Sequence, residues 1–208
     1  MTSETHLYLN DSVINNYFNL IQKQYPSVYC FDTYFYVRLE KSKYKSVERW
    51  TKKINIFSKR KVFFPINIRR KRFAHWILIT ADMDKRRVIY FDSLKNHYEY
   101  KIHLDILSYL QQEHERKLGY PLQNWRIVRG SNPQQSNGSD CGVFVCTIAE
   151  YLARDASFNF KQKNMPSFRK LILYELFIEQ LITVDEDVDE DSIVDEIDRM
   201  INNSLMNR

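Results

Sequence analysis

Three short apolar segments in close succession constrain this chain more than any other feature: "KVFFPINI", "HWILITADM" and "RRVIYFDSL". Each is rich in β-branched and aromatic residues and bounded by polar ones, so they read as consecutive strands. "MDKRR" supplies the turn between the last two, and the centre of the chain is thereby committed to a sheet. Around it the apolar spacing turns helical. Asn10-Asp11 can cap "SVINNYFNLIQKQY", with Val13, Ile14, Tyr17, Phe18 and Ile21 on one face, and Pro26 ends it. "VYCFDTYFYVRL" reads as a short aromatic turn or helix, and "SVERWTKKINIF" as a helix with a buried Trp50. "IHLDILSYLQQEHERKL" is amphipathic, and "NWRIVRG" is a further short strand. "GVFVCTIAEYLARD" is apolar nearly all round, the mark of a buried central helix. "MPSFRKLILYELFIEQLI" follows, with Pro166 near its first turn. Helices on both sides of a central strand cluster predict an α+β domain.

Composition narrows the class. At 208 residues the chain is expected to form one domain with a full core, and it holds no internal repeat. The longest apolar runs, such as Trp76–Ile79, are too short to span a bilayer, and "MTSETHLYLND" has neither a basic flank nor an apolar signal core. Three cysteines make no disulfide framework. The expectation is an intracellular, soluble protein. Charge is unevenly spread. Residues 1–184 carry 29 of the 31 Lys and Arg and 17 of the 26 acids, a net +12, while Asp185–Asp198 holds nine acids and no base. Basic clusters at Lys41–Lys45, Lys52-Lys53, Lys59–Lys61 and Arg69–Arg72 should attract an acidic protein surface or nucleic acid. The acidic stretch keeps Ile193, Val194, Ile197, Met200 and Ile201 at near-helical spacing, so it can form an amphipathic tail helix and shield the basic face.

The candidate chemistry centres on "NPQQSNGSDCGVFVC". Cys141 falls in the first turn of its helix, with Ser139 or Asp140 as N-cap, and the positive helix end there favours a thiolate. Gly138 and Gly142 allow tight backbone beside it, and Asp140 reads as a cap or loop anchor. Cys30 and Cys146 sit in apolar contexts and read as core residues. A nucleophilic cysteine needs a base, and the base an orienting acid. His75 begins one strand and Asp92 ends the next. A hairpin turning around Met83-Asp84 pairs residues whose numbers sum to about 167, which sets His75 and Asp92 opposite each other on one face. Gln134 and Gln135 lie in the loop returning to Cys141, where a side-chain amide can join the Cys141 N–H against an oxyanion. The histidines (6, 75, 97, 103 and 114) and cysteines show no metal-binding spacing, no phosphate-cradling glycine loop is present, and no metal or cofactor is expected.

The order His75-Trp76, Asp92-Ser93, Gln135 and "NGSDCG" resembles the catalytic domain of the ubiquitin-like-protein-specific cysteine proteases, in particular the sentrin/SUMO-specific branch. "LNDSVINNYFNL", "VERWTKKINIFSKRKVFFPINI" and "MPSFRKLILYELF" extend the likeness over roughly residues 7–182. The resemblance implies a papain-like α+β fold whose central sheet is mostly antiparallel. It implies Cys141 as nucleophile, His75 as general base and acid, Asp92 as its orienting group and Gln135 in the oxyanion hole. It also sets Trp76 over a substrate Gly-Gly in a narrow tunnel and puts Tyr8 and Asp11 among the substrate-binding residues. Tyr8 stands where the family usually has a second tunnel tryptophan. The domain expected is residues 1–182, followed by an acidic tail of residues 183–208. The implied activity is cleavage after the C-terminal Gly-Gly of a SUMO-like modifier, by a monomer, with the nucleus as the family's suggested location. A Nedd-type modifier or ubiquitin is the alternative substrate. Acyl transfer, and a basic module that only binds acidic protein or nucleic acid, are more distant readings. Membrane insertion and nucleic-acid binding are not expected.

Overall fold

A computed structural model describes residues 8–70, 73–94, 98–185, 187–189 and 191–206. His6, His97 and the Lys71-Arg72 end of one basic cluster lie outside these residues. Five strands form one sheet in the order β1-β2-β3-β4-β5: Val28–Cys30, Lys61–Arg70, Phe73–Asp82, Arg87–Phe91 and Arg126–Arg129. The two central pairings, β2 with β3 and β3 with β4, are antiparallel, while each edge strand runs parallel to its neighbour. The sheet is therefore mixed, with its long ladders antiparallel.

Among the described residues, six α-helices flank it: α1 (Asp11–Gln24), α2 (Tyr34–Ser42), α3 (Tyr100–Leu118), α4 (Cys141–Ala153), α5 (Met165–Ile178) and α6 (Ile193–Met206). Strand alternation sorts the core into two layers. Phe63, Trp76, Leu78, Ile89 and Phe91 join α1, α4, α5 and α6 on one face. Val62, Phe64, Ile66, Ile77, Ile79, Val88 and Tyr90 join α2 and α3 on the other. Helix α4 is buried along almost its whole length, which explains the absence of a polar face in its sequence. Among the described residues, no helix is long and apolar enough to cross a membrane.

Several elements differ from the sequence-based expectations. Val28–Cys30 is an edge strand; three residues are too few to show a period in sequence. The segment around Trp50 is a 3-10 turn and further turns, with no α-helix. There the Ser46 hydroxyl donates to the Arg38 and Lys43 carbonyls, and Lys117 from α3 holds the Thr51 and Lys52 carbonyls. Trp50 is 37% exposed and meets Phe35 edge-on instead of filling the core. The acidic tail is packed, with Val184, Ile193 and Ile197 buried in the main core and Lys163–Asp191 and Lys170–Asp198 ion pairs outside it.

Candidate active site

The ends of β3 and β4 bring two titratable groups together. The β3–β4 ladder pairs Leu78 with Phe91 and Asp82 with Arg87, so partner numbers sum to 169, two more than the turn chemistry suggested. His75 and Asp92 are thus diagonal neighbours. A shift of two preserves the face, and diagonal neighbours about 7–8 Å apart stay within reach of long side chains. The result is a 2.6 Å hydrogen bond from His75 Nε2 to Asp92 Oδ1. His75 also shares a side-chain hydrogen bond with Cys141, for which the ring's other nitrogen remains. Burial opposes a charge on this ring. The hydrogen bonds and negative charge of Asp92 and Cys141 outweigh it and push its pKa up to about 9.

The loop before α4 holds Asp92 in turn. The Asp92 carbonyl accepts hydrogen bonds from Asn132 Nδ2 at 3.1 Å and Gln134 Nε2 at 2.9 Å, and its Oδ1 accepts the Leu94 amide at 2.8 Å. The two glutamines have separate tasks: Gln134 anchors Asp92, while Gln135 faces Ser93 and the turn. Gln135 accepts from Ser93 Oγ at 2.6 Å and donates Nε2 to the Asn137 carbonyl at 2.6 Å, and its own amide donates to the Ser93 carbonyl. Asn132 was not singled out from the sequence. An Asn-Pro step signals a turn but carries no mark of which carbonyl the amide will reach.

Cys141 opens α4, so its N–H is among the four that no residue within the helix can accept. Asp140 occupies the N-cap position without capping. Its carboxylate is instead taken by Arg169, Asn137 and Gln162, so the loop-anchor reading holds and the side-chain cap does not. Gly142 is required by space: a Cβ there would lie 2.9 Å from Leu9 Cβ and 3.5 Å from Trp76 Cδ1. Gly138 has no such neighbour, so the expected crowding applies to Gly142 alone. Trp76 is buried, and its indole N–H donates to the Leu9 carbonyl at 3.0 Å. Its ring therefore walls the start of α4. Tyr8, 65% exposed, stands in solvent. Asp11 pairs with Arg69 at 2.7 Å, at the same end of the sheet. Cys30 and Cys146 are free thiols in apolar surroundings, where burial pushes both pKa values up. Among the described residues, no group of three His, Cys, Asp or Glu side chains could hold a metal ion.

A thiol at a helix start, an imidazole against it and a carboxylate behind the imidazole make the arrangement that thiol hydrolases use. The sequence matches the family described as Ulp1 protease family, C-terminal catalytic domain, over residues 7–181, and the chain belongs to that family. It is 38% identical over 193 residues to sentrin-specific protease 2 of Mus musculus, covering 87% of this chain and 32% of that protein. It is 35% identical over 188 residues to a sentrin-specific protease of Caenorhabditis elegans, covering 84% of this chain and 26% of that one. The chain thus spans about a third or less of the length of these curated relatives. Among solved structures it resembles the C-terminal Ulp1 protease domain in complex with Smt3, the yeast ortholog of SUMO. The TM-score is 0.76 at 30% identity, over 85% of this chain and 79% of that one. The expected family and α+β fold are therefore found.

Proposed function

We propose that this chain is a cysteine protease that cleaves after the C-terminal Gly-Gly of a SUMO-like modifier, releasing it from target lysines or maturing its precursor. The observation that carries the reading is the contact of His75 with both Asp92 and Cys141, three residues from three separate elements. The relatives' names and the Smt3 complex of the neighbouring structure support the choice of modifier. The +12 charge of residues 1–184 suits an acidic modifier surface.

The Cys141 thiolate attacks the carbonyl carbon of the terminal glycine. The C–O π electrons move onto oxygen, where the Cys141 N–H and the Gln135 amide stabilise the oxyanion. His75 gives its proton to the leaving lysine amine as the C–N bond breaks, and a thioester remains. Water, deprotonated by His75, then attacks the thioester; the modifier leaves with a free carboxylate and the proton returns to the Cys141–His75 pair. Asp92 holds the imidazole by one edge throughout. Cys141, His75 and Trp76 are all buried, and on this reading a substrate reaches the sulfur along the narrow tunnel beside Trp76 that the family resemblance implies. Two glycines suit that tunnel. Tyr8 and Asp11 contact the modifier at the tunnel entrance on this reading. The enzyme works as a monomer, with the whole site on one chain, and the nucleus is the setting the family resemblance suggests.

The test is a panel of modifiers carrying a C-terminal electrophile. A SUMO probe is expected to label wild type at Cys141 and leave Cys141→Ala unlabelled. Preferential labelling by ubiquitin or Nedd-type probes would overturn the modifier assignment.

A further inference from the structure

The residue before Cys141 is a buried acid, and that is the wrong charge beside a thiolate. A neighbouring carboxylate raises a thiol pKa and works against the helix start. Asp140 is not left bare. Arg169 Nη2, from α5, donates to Oδ1 at 2.6 Å, while Asn137 Nδ2 and Gln162 Nε2 donate to Oδ2 at 2.7 and 2.8 Å. Although burial penalises its charge, these donors hold the carboxyl below the usual carboxylate range. The same set fixes the loop. Asn137 Oδ1 accepts the Ser139 and Asp140 amides, and the Asn137 carbonyl receives Gln135 Nε2. Gln162 Oε1 accepts the Ser136 amide, so this one residue grips both sides of the turn.

We propose that Arg169 is a positioning residue for the reaction: its guanidinium neutralises Asp140, removing a negative charge from beside the Cys141 thiolate and locking the Gln135–Cys141 loop to α5. This rests on the reading of Cys141 as nucleophile. The charged groups around Cys141 are His75 from β3, with Asp92 behind it, and its chain neighbour Asp140, paired with Arg169 of α5. Further along α5, Glu175 faces Cys146 and Tyr17, and the Arg169 charge also reaches Cys146. Asn137 and Gln162 donate to Asp140 without carrying charge.

The test follows the pH dependence of Cys141 alkylation by iodoacetamide, read at that residue by peptide mass spectrometry. Arg169→Gln is expected to raise the midpoint by about one pH unit, the lower end of the shift a single nearby charge produces. Adding Asp140→Asn to it should return the midpoint to the wild-type value, because no charge is then left to neutralise. Arg169→Lys keeps the charge, should titrate as wild type, and carries the test if the glutamine variant does not fold. An unmoved midpoint in folded Arg169→Gln, failure of the double variant to restore it, or a lysine variant that titrates high would each overturn the proposal. Alkylation needs no modifier substrate. A failed proposal is therefore distinguishable from a failed protease reading, which turnover by Cys141→Ala tests separately.

Discussion

His75 concentrates the chemistry at the residue scale. It is buried, yet its partners push its pKa up to about 9, so it carries a proton at neutral pH. The sign of the linkage follows. A histidine ordinarily near 6.5 and raised on folding contributes stability that is fully present below pH 6.5 and is lost as pH rises through 9. On the proposed mechanism the same proton is needed by the leaving amine. The kcat for a modifier–aminocoumarin amide should therefore fall on an alkaline limb near pH 9, and Asp92→Asn should move that limb to lower pH. A rate still rising steadily above pH 10 would contradict the role of His75 as acid. The geometry behind this was partly legible in sequence. Parity put His75 and Asp92 on one face whichever of two registers was adopted, since both preserve the alternation. What could not be read was the division of labour between Gln134 and Gln135. Two adjacent amides look alike in a sequence, and only the path of the loop sends one to the Asp92 carbonyl and the other to Ser93 and Asn137.

Among the elements, long periods are legible in the sequence, while the three-residue β1 and the turns around Trp50 are not. α1, α3, α4, α5 and the central strands declare themselves by spacing, and Asn10 caps α1 through the Val13 amide as its position suggested. The Trp50 segment has helical spacing, but α3's Lys117 takes its Thr51 and Lys52 carbonyls, and the Ser46 hydroxyl at its start turns back onto the Arg38 and Lys43 carbonyls. The tail helix α6 was anticipated as an amphipathic element; its docking was not, because no sequence pattern names the surface an apolar stripe will meet. Ile193 and Ile197 are completely buried. At about 1.5–3 kcal/mol for each fully buried aliphatic side chain, removing both costs roughly 3–6 kcal/mol as an upper bound. Deleting residues 183–208 is therefore expected to lower the urea midpoint clearly, and an unchanged midpoint would show that α6 does not belong to the folded unit. The tail also neutralises Lys163 and Lys170 through Asp191 and Asp198, so its acids pair with the basic body.

At the scale of the whole molecule, the sheet carries His75 and Asp92, and the loop and α4 bring Cys141. The site exists only because the chain ends of β3 and β4 and the start of α4 meet at one edge of the fold. Leu9 and Trp76 pack against Gly142 beside Cys141 there, with no space for a side chain at 142. On the proposed function, it is this arrangement, in a chain of the Ulp1 protease family, that would link the fold to Gly-Gly cleavage. The most direct measurement is turnover of a SUMO C-terminal fluorogenic amide by wild type and by Cys141→Ala, with folding checked by circular dichroism. The account predicts rapid release by the wild type and none above background by a folded alanine variant that still binds SUMO. Undiminished release by Cys141→Ala would contradict it.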